Sequence, residues 1–571
     1  MRFKIIRIVI FSIFAVIALD LFYAQVIRGA YYYNLSVNNR IRVIPLEGQR
    51  GVIRDRNGIV LAENRLAFNV AVIPQDIQDK ERLFDFLSEV LGETKKDLLQ
   101  TFFMRKDTSF APVVIADDVD KRVAMVLEEN KYRFPGLYIQ ETSKRWYPFG
   151  RIGAHVLGYV GKISRVKIEK MDEYGYTPQS VVGYSGIEEY YDSYLMGKPG
   201  GLQIEVDSRG RQMRLLSIKE PEKGQDVQLT IDARVQQLAV DALGDSRGAV
   251  IVMNLDNGEV LGLVSAPAYD PNIFADARRQ KQARMIFIDN DAPLLNRAIK
   301  GLYPPGSVFK TVVTVAGMST GQLKTSTTFF CKGAHYLGRR RFRCAHVHGS
   351  QDLLEGIAHS CNVYFYNVGA MVGPEEMYKA AKIFDLGNLT HIDLPFEEKG
   401  YIPSKVQNKL RYNKNWYNGD TLNMSIGQGD VLVTPIQVIR MMATVARSGE
   451  EVQPHLIEQI GDQKIVSLST VKKLPVREEI FRILQKGLRL VVADPSGTAR
   501  LLDMEGFEVS GKTGTAQSVA DKPAHAWFVG YNRGGKVNIA FCVFLEFGGS
   551  SYNAVRISRD LLKQLKEEGV I

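Results

Sequence analysis

Cysteine is scarce in this chain, four in 571 residues, and histidine is little commoner at eight. Low-complexity tracts are missing. Basic residues outnumber acidic ones by 73 to 63, yet the excess reads as spread along the chain and not gathered into a stripe. A nucleic-acid footprint is therefore unsupported, and a basic face toward an anionic envelope or polymer is the modest alternative. After the first thirty residues no apolar run is long enough for another bilayer crossing, which excludes a polytopic protein. Between residue 30 and about 230 no catalytic constellation is found.

What is present begins at the N-terminus. Arg2, Lys4 and Arg7 precede the run IVIFSIFAVIALDLFYAQVI, residues 8–27, whose only charge is Asp20. That is about one crossing, and the early positive charges put the rest of the chain outside the cytoplasm. A cleaved signal peptide would have a shorter apolar region and small residues at its end; here Leu21, Phe22 and Tyr23 continue the run, favouring an uncleaved anchor. Asp20 either faces a partner helix or lies near the outer interface. The expected division is tail and anchor 1–29, a strand-rich pedestal 30–231, and a third region 232–571.

Asn57-Gly58, between alternating apolar segments, predicts a hairpin. From 232 a helix (DARVQQLAVDAL) precedes two strands joined at Asp256-Asn257-Gly258, and the chain ends in two strands and a helix (NAVRISRDLLKQLKEEG). Strands at both ends of the region with helices between predict one antiparallel sheet closed by both, an α+β arrangement.

Inside that region YPPGSVFKTVV, residues 303–313, sets Ser307 three residues before Lys310. The pair shares a face of a buried helix starting near Ser307. Such burial, and the positive end of the helix dipole, favour a neutral amine able to accept a proton. On local context alone a nucleophile and an ordinary helix remain equally open. The same spacing occurs at Ser164–Lys167 and Ser469–Lys472, in charged segments that read as solvated. Ser360-x-Asn362 is weak by itself, because Ser36–Asn38 and Ser551–Asn553 also match. Lys512-Thr513-Gly514 is the sole K-T-G. The order S-x-x-K, S-x-N, K-T-G is what decides, being the signature shared by serine β-lactamases and penicillin-binding proteins.

With the segments RGVIRDRNGIVLAEN (50–64), GYSGIEEYYDSYLMGKPG (183–200) and NMSIGQGDVLVTPIQ (423–437), the chain resembles the class B penicillin-binding proteins, most closely the elongation type, over nearly its whole length. The resemblance implies a single-pass protein of the inner membrane, with its catalytic domain outside the cytoplasm. It also implies a D,D-transpeptidase cross-linking peptidoglycan stem peptides with release of D-Ala, and β-lactams as inhibitors. Ser307 would attack and Lys310 accept its proton, the nearby Lys512 charge helping to lower the amine's pKa. Ser360 would relay the proton to the leaving amine and Asn362 hold Lys310 or the substrate amide. Lys512 and Thr513 suit a substrate carboxylate, and Gly514 lets the edge strand approach the substrate. The N–H groups of Ser307 and Thr515 would form the oxyanion hole. Implied partners are a SEDS-family glycosyltransferase and other elongation-complex proteins.

A penicillin-sensing receptor, a β-lactamase and a bifunctional synthase fit less well. Each would need spans, a deacylating base or a domain that this chain has no room for or does not show. A septal, division-type transpeptidase is the nearest rival.

Three of the four cysteines, Cys331, Cys344 and Cys361, and four of the eight histidines fall within residues 331–361. A Cys331–Cys344 disulfide and a tetrahedral Cys₃His zinc site both remain open. The resemblance implies zinc held by Cys331, Cys344, His348 and Cys361. If Ser360 and Asn362 both enter the cleft from an extended segment, Cys361 points away from it.

Overall fold

The computed structural model describes residues 2–32, 41–46, 48–106, 112–164, 167, 180–206, 212–465, 472–518 and 521–571. Ser36, Asn38 and Ser469 lie outside the described residues. The described chain forms two compact units that interleave in sequence.

The first unit takes residues 1–51, 64–144 and 196–225. Helix Arg2–Phe22 runs into a π turn, Tyr23–Ile27. Phe3–Ile27 is a span of 25 residues whose most apolar 18-residue stretch has mean hydropathy 2.6, long and apolar enough to cross a membrane. Ile41–Leu46, Gly200–Val206 and Gln212–Lys219 form an antiparallel sheet with Gly200–Val206 in the middle. The strand-rich expectation for this region is incomplete, because helices Lys80–Leu91, Lys95–Arg105 and Lys121–Asn130 also stand here. Each starts at a side-chain cap, Asp79, Thr94 and Asp120, which satisfies N–H groups the first turn leaves open. Their apolar faces, with Leu83, Phe84, Leu87, Leu98, Phe102 and Leu127, close a small core of their own.

The second unit takes residues 52–63, 145–195 and 226–571, so segments 52–63 and 145–195, expected within the pedestal, pack with the C-terminal region. The predicted antiparallel sheet is present, in the order Val260–Ala266, Gly248–Asn254, Ile539–Leu545, His525–Arg533, Glu508–Ala516. Every residue of Ile539–Leu545 is buried; a strand covered on both faces reads as a continuous apolar run and not an alternation. Helices Ala233–Leu243 and Ser551–Glu567 pack on each other and on the sheet, as do Pro435–Ala446 and Glu478–Ala493. The Asn57-Gly58 hairpin forms, with Ile53 opposite Ala62. Its turn is organised by the buried Asp55 carboxylate, which accepts from the Asn57 and Ile59 amides at 2.8 Å and from Ala233 N at 3.1 Å. That third bond ties the turn to the start of helix Ala233–Leu243.

Candidate active site

The Ser307 segment is a tight turn before it is a helix. Gly306–Phe309 is 3₁₀ and the α-helix proper is Lys310–Ser319, so the helix predicted at Ser307 starts one turn later. Gly306 has φ +56°, a conformation side chains other than hydrogen disfavour. A Cβ there would lie 2.8 Å from Thr515 O. Gly306 N donates to Gly427 O at 3.0 Å, and Trp527 Nε1 donates to Pro304 O at 3.1 Å. The turn is thus wedged between the K-T-G strand and residues 423–429, with Val308 and Phe309 buried beneath it and Ser307 half exposed.

Lys310 is 1 % exposed. Its Nζ donates to Ser360 O at 2.7 Å, Ser360 Oγ at 3.1 Å and Asn362 Oδ1 at 2.8 Å. Burial lowers this amine to about 8, against the opposing pull of Cys344 and Cys361. The expected lowering by burial is present, while the expected help from the Lys512 charge is not. The like-charge effect falls on Lys512, which burial first and Lys310 second hold well below the ordinary lysine range.

Ser360 and Asn362 do converge on Lys310, but not from an extended strand. Ser360 is left-handed, φ +53°, Cys361 is the extended N-cap, and Asn362 is the first residue of helix Asn362–Val372. A left-handed serine is uncommon and costs energy that the three bonds to Lys310 offset. Asn362 Nδ2 donates to Arg343 O at 3.3 Å.

Lys512, Thr513, Gly514 and Thr515 lie on edge strand Glu508–Ala516. Thr513 Oγ1 is 2.8 Å from Thr498 Oγ1, and Lys512 Nζ donates to Thr513 O at 3.3 Å. At Gly514 a Cβ would sit 2.8 Å from Pro305 O and 3.0 Å from Val308 Cγ2. The close approach is to the turn that carries Ser307. Thr498 escaped the sequence reading, having no motif to flag it. Gln428 lay inside a quoted segment without a role; its Nε2 donates to Thr515 O at 3.4 Å and its Oε1 accepts from Gln517 N at 3.3 Å. The competing Ser164–Lys167 pair is not activated: Lys167 Nζ donates to Gly183 O at 2.5 Å and Glu189 Oε1 at 3.1 Å.

Beside the Ser360 turn the four cysteine and histidine donors meet. Those of Cys331, Cys344, His348 and Cys361 all lie within 4.8 Å of one another. His348 Nδ1 is 3.6 Å from Cys331 Sγ and 3.5 Å from Cys344 Sγ, and Cys344 and Cys361 sulfurs are 4.0 Å apart. No cysteine is paired in a disulfide. The contact between the two sulfurs pushes Cys344 down, toward thiolate, and pushes Cys361 up. His348 is lowered, chiefly by burial. Cys361 Sγ also accepts from Tyr364 N at 3.4 Å, so the residue between Ser360 and Asn362 does point away from Lys310.

A buried amine held by a serine and an amide, with a lysine and threonine on a sheet edge, is a set of groups suited to acyl transfer. Residues 248–565 match the penicillin-binding protein transpeptidase domain, and residues 45–229 match the penicillin-binding protein dimerisation domain. The chain belongs to the penicillin-binding protein transpeptidase family. It is 33 % identical to the peptidoglycan D,D-transpeptidase MrdA of Escherichia coli over 88 % of this chain and 82 % of that protein. It is 30 % identical to the MrdA of Haemophilus influenzae over 95 % and 88 %. Among solved structures, the penicillin-binding protein PBP2 of Helicobacter pylori, in complex with MreC, superposes with a TM-score of 0.81 at 28 % identity, covering 93 % of this chain and 100 % of that one. A chain from a peptidoglycan synthase complex that coordinates polymerisation and cross-linking gives 0.75 at 30 % identity, covering 99 % and 98 %.

Proposed function

We propose that the chain is a peptidoglycan D,D-transpeptidase of the elongation type, working through an acyl-enzyme on Ser307. The observation that carries the reading is the Lys310 amine, buried, lowered to about 8 and held by Ser360 and Asn362 together. Neutral Lys310 takes the proton of Ser307 as its oxygen adds to the penultimate D-Ala carbonyl. The N–H groups of Ser307 and Thr515 hold the developing oxyanion. The C–N bond then breaks, the proton passes through Ser360 to the departing D-Ala amine, and the ester stays on Ser307. An amine of a neighbouring stem attacks that ester, loses its proton to the same relay, and frees Ser307. Lys512 and Thr513 bind the donor's terminal carboxylate. Acyl transfer needs no cofactor.

Cys331, Cys344, His348 and Cys361 fit a zinc ion: three sulfurs, one ring nitrogen, no position left over, as a structural site requires. Bound there, zinc would hold Cys361, and with it Ser360 and Asn362, in place. The functional division remains anchor 1–29, pedestal 30–231 and transpeptidase 232–571. The anchor's basic start supports a catalytic region outside the inner membrane. The pedestal and anchor would receive a SEDS-family glycosyltransferase and elongation-complex proteins such as MreC, which accompanies the H. pylori relative.

Intact-mass analysis after labelled penicillin, with peptide mapping, tests the reading: one adduct, on Ser307. Absence of an adduct, or an adduct elsewhere, refutes it.

A further inference from the structure

The expectation of evenly spread charge fails in one place. Residues 292–351 contain no aspartate or glutamate and nine lysines and arginines. Four of these, Arg339, Arg340, Arg341 and Arg343, sit on a hairpin of strands Ala334–Leu337 and Arg340–Arg343. All four are exposed, and among the described residues none forms an ion pair.

Strand alternation sorts the hairpin into two faces. Leu337 and Phe342 pack inward with Tyr366 and Leu422. Tyr336 stands opposite Arg341, and Ala334 opposite Arg343, so Arg341, Arg343 and the 64 %-exposed Tyr336 share the outward face. An aromatic ring beside unpaired guanidinium groups suits carboxylates, which arginine grips with two parallel bonds. The base of the hairpin touches the site: Arg343 O accepts from Asn362 Nδ2 at 3.3 Å and from Tyr366 Oη at 3.4 Å. At about 3.3 Å per residue, Arg341 stands about 7 Å from Arg343 on the strand, the span of about two extended peptide residues. A membrane surface would not need the cations tied to the S-x-N residue; a substrate strand would.

We infer that the outward face of hairpin 334–343 binds the carboxylates of a peptidoglycan stem peptide beside the acyl-transfer site, an inference that rests on the transpeptidase reading. The test compares wild type with the Arg339→Gln/Arg341→Gln variant, full chain in detergent micelles. The probes are a soluble stem peptide with free carboxylates, the same peptide with its side carboxylates amidated, and labelled penicillin. Wild type binds the free-carboxylate peptide about fivefold or more tightly than the amidated one, two exposed arginine contacts being worth a few-fold each. The variant loses that preference while penicillin acylates both proteins at the same rate. Equal affinities in wild type, a preference that survives in the variant, or slowed acylation in the variant overturns the inference. Failure of the transpeptidase reading shows separately, as wild type that penicillin does not acylate at Ser307.

Discussion

Lys310 Nζ and Asn362 Oδ1 are 2.8 Å apart, although 52 residues separate them in the chain. Two motifs, each weak as a string, are thus one device: a buried amine whose donors are all spoken for by the S-x-N turn. Burial disfavours its charge and the turn's oxygens restrain it, which leaves an amine that titrates near neutrality instead of near 10.

Ser307→Ala abolishes covalent penicillin labelling and leaves the thermal unfolding transition in place, since a half-exposed hydroxyl contributes little packing. Mass spectrometry is the check; a surviving adduct at Ser164 contradicts the assignment.

The lowered amine sets a pH dependence. Below about 8 Lys310 is mostly protonated and cannot accept a proton, so the acylation rate at saturating stir-free mixing rises with pH and levels above that value. Well below it the rate falls tenfold for each pH unit. Lys310→Arg, which stays charged, removes the step and loses about 10²- to 10⁴-fold in acylation. A flat profile between pH 6 and 9 contradicts Lys310 as base.

Gly514→Ala drives a methyl into Pro305 O and Val308 Cγ2. Overpacking of this kind costs about 1–3 kcal/mol, and here the backbone that must yield carries Ser307. Acylation falls more than stability does, as read by stopped-flow labelling beside denaturant unfolding.

Cys361→Ser separates two roles of one side chain. Serine keeps the N-cap of helix Asn362–Val372, so helix content is unchanged by circular dichroism, while a zinc ion loses one of four ligands. Elemental analysis gives about one zinc per chain in wild type and well below that in the variant. Wild type free of zinc and carrying a Cys331–Cys344 bridge contradicts the metal reading.

Arg145 Nε and Glu188 Oε1 pair at 2.6 Å, with side chains 2 % and 0 % exposed, and Tyr147 Oη donates to the same oxygen at 3.2 Å. Glu188→Ala removes a carboxylate that both Arg145 and Tyr147 hold in the core and lowers stability by about 1 kcal/mol or more, measured by chemical unfolding.

Much of this protein could be read along the chain because it depends on local chemistry. The anchor follows from a run of apolar residues, the hairpins at Asn57-Gly58 and Asp256-Asn257-Gly258 from turn stereochemistry, and the sheet's strands from continuous apolar segments. The three motifs follow from residue type and order. The three helices of residues 80–130 were equally marked, by Asp79, Thr94 and Asp120 as caps, but short amphipathic helices among strand-like pieces do not stand out by periodicity. Tertiary structure alone decided the rest. That Gly514 serves the turn at Pro305, that Thr498 meets Thr513, that the lysine charge falls on Lys512, and that segments 52–63 and 145–195 pack with the C-terminal unit are relations between residues far apart in sequence. Such relations depend on which surfaces the packed core brings within a few ångströms, and dielectric, close contact and hydrogen bonding all act over that distance and not along the chain.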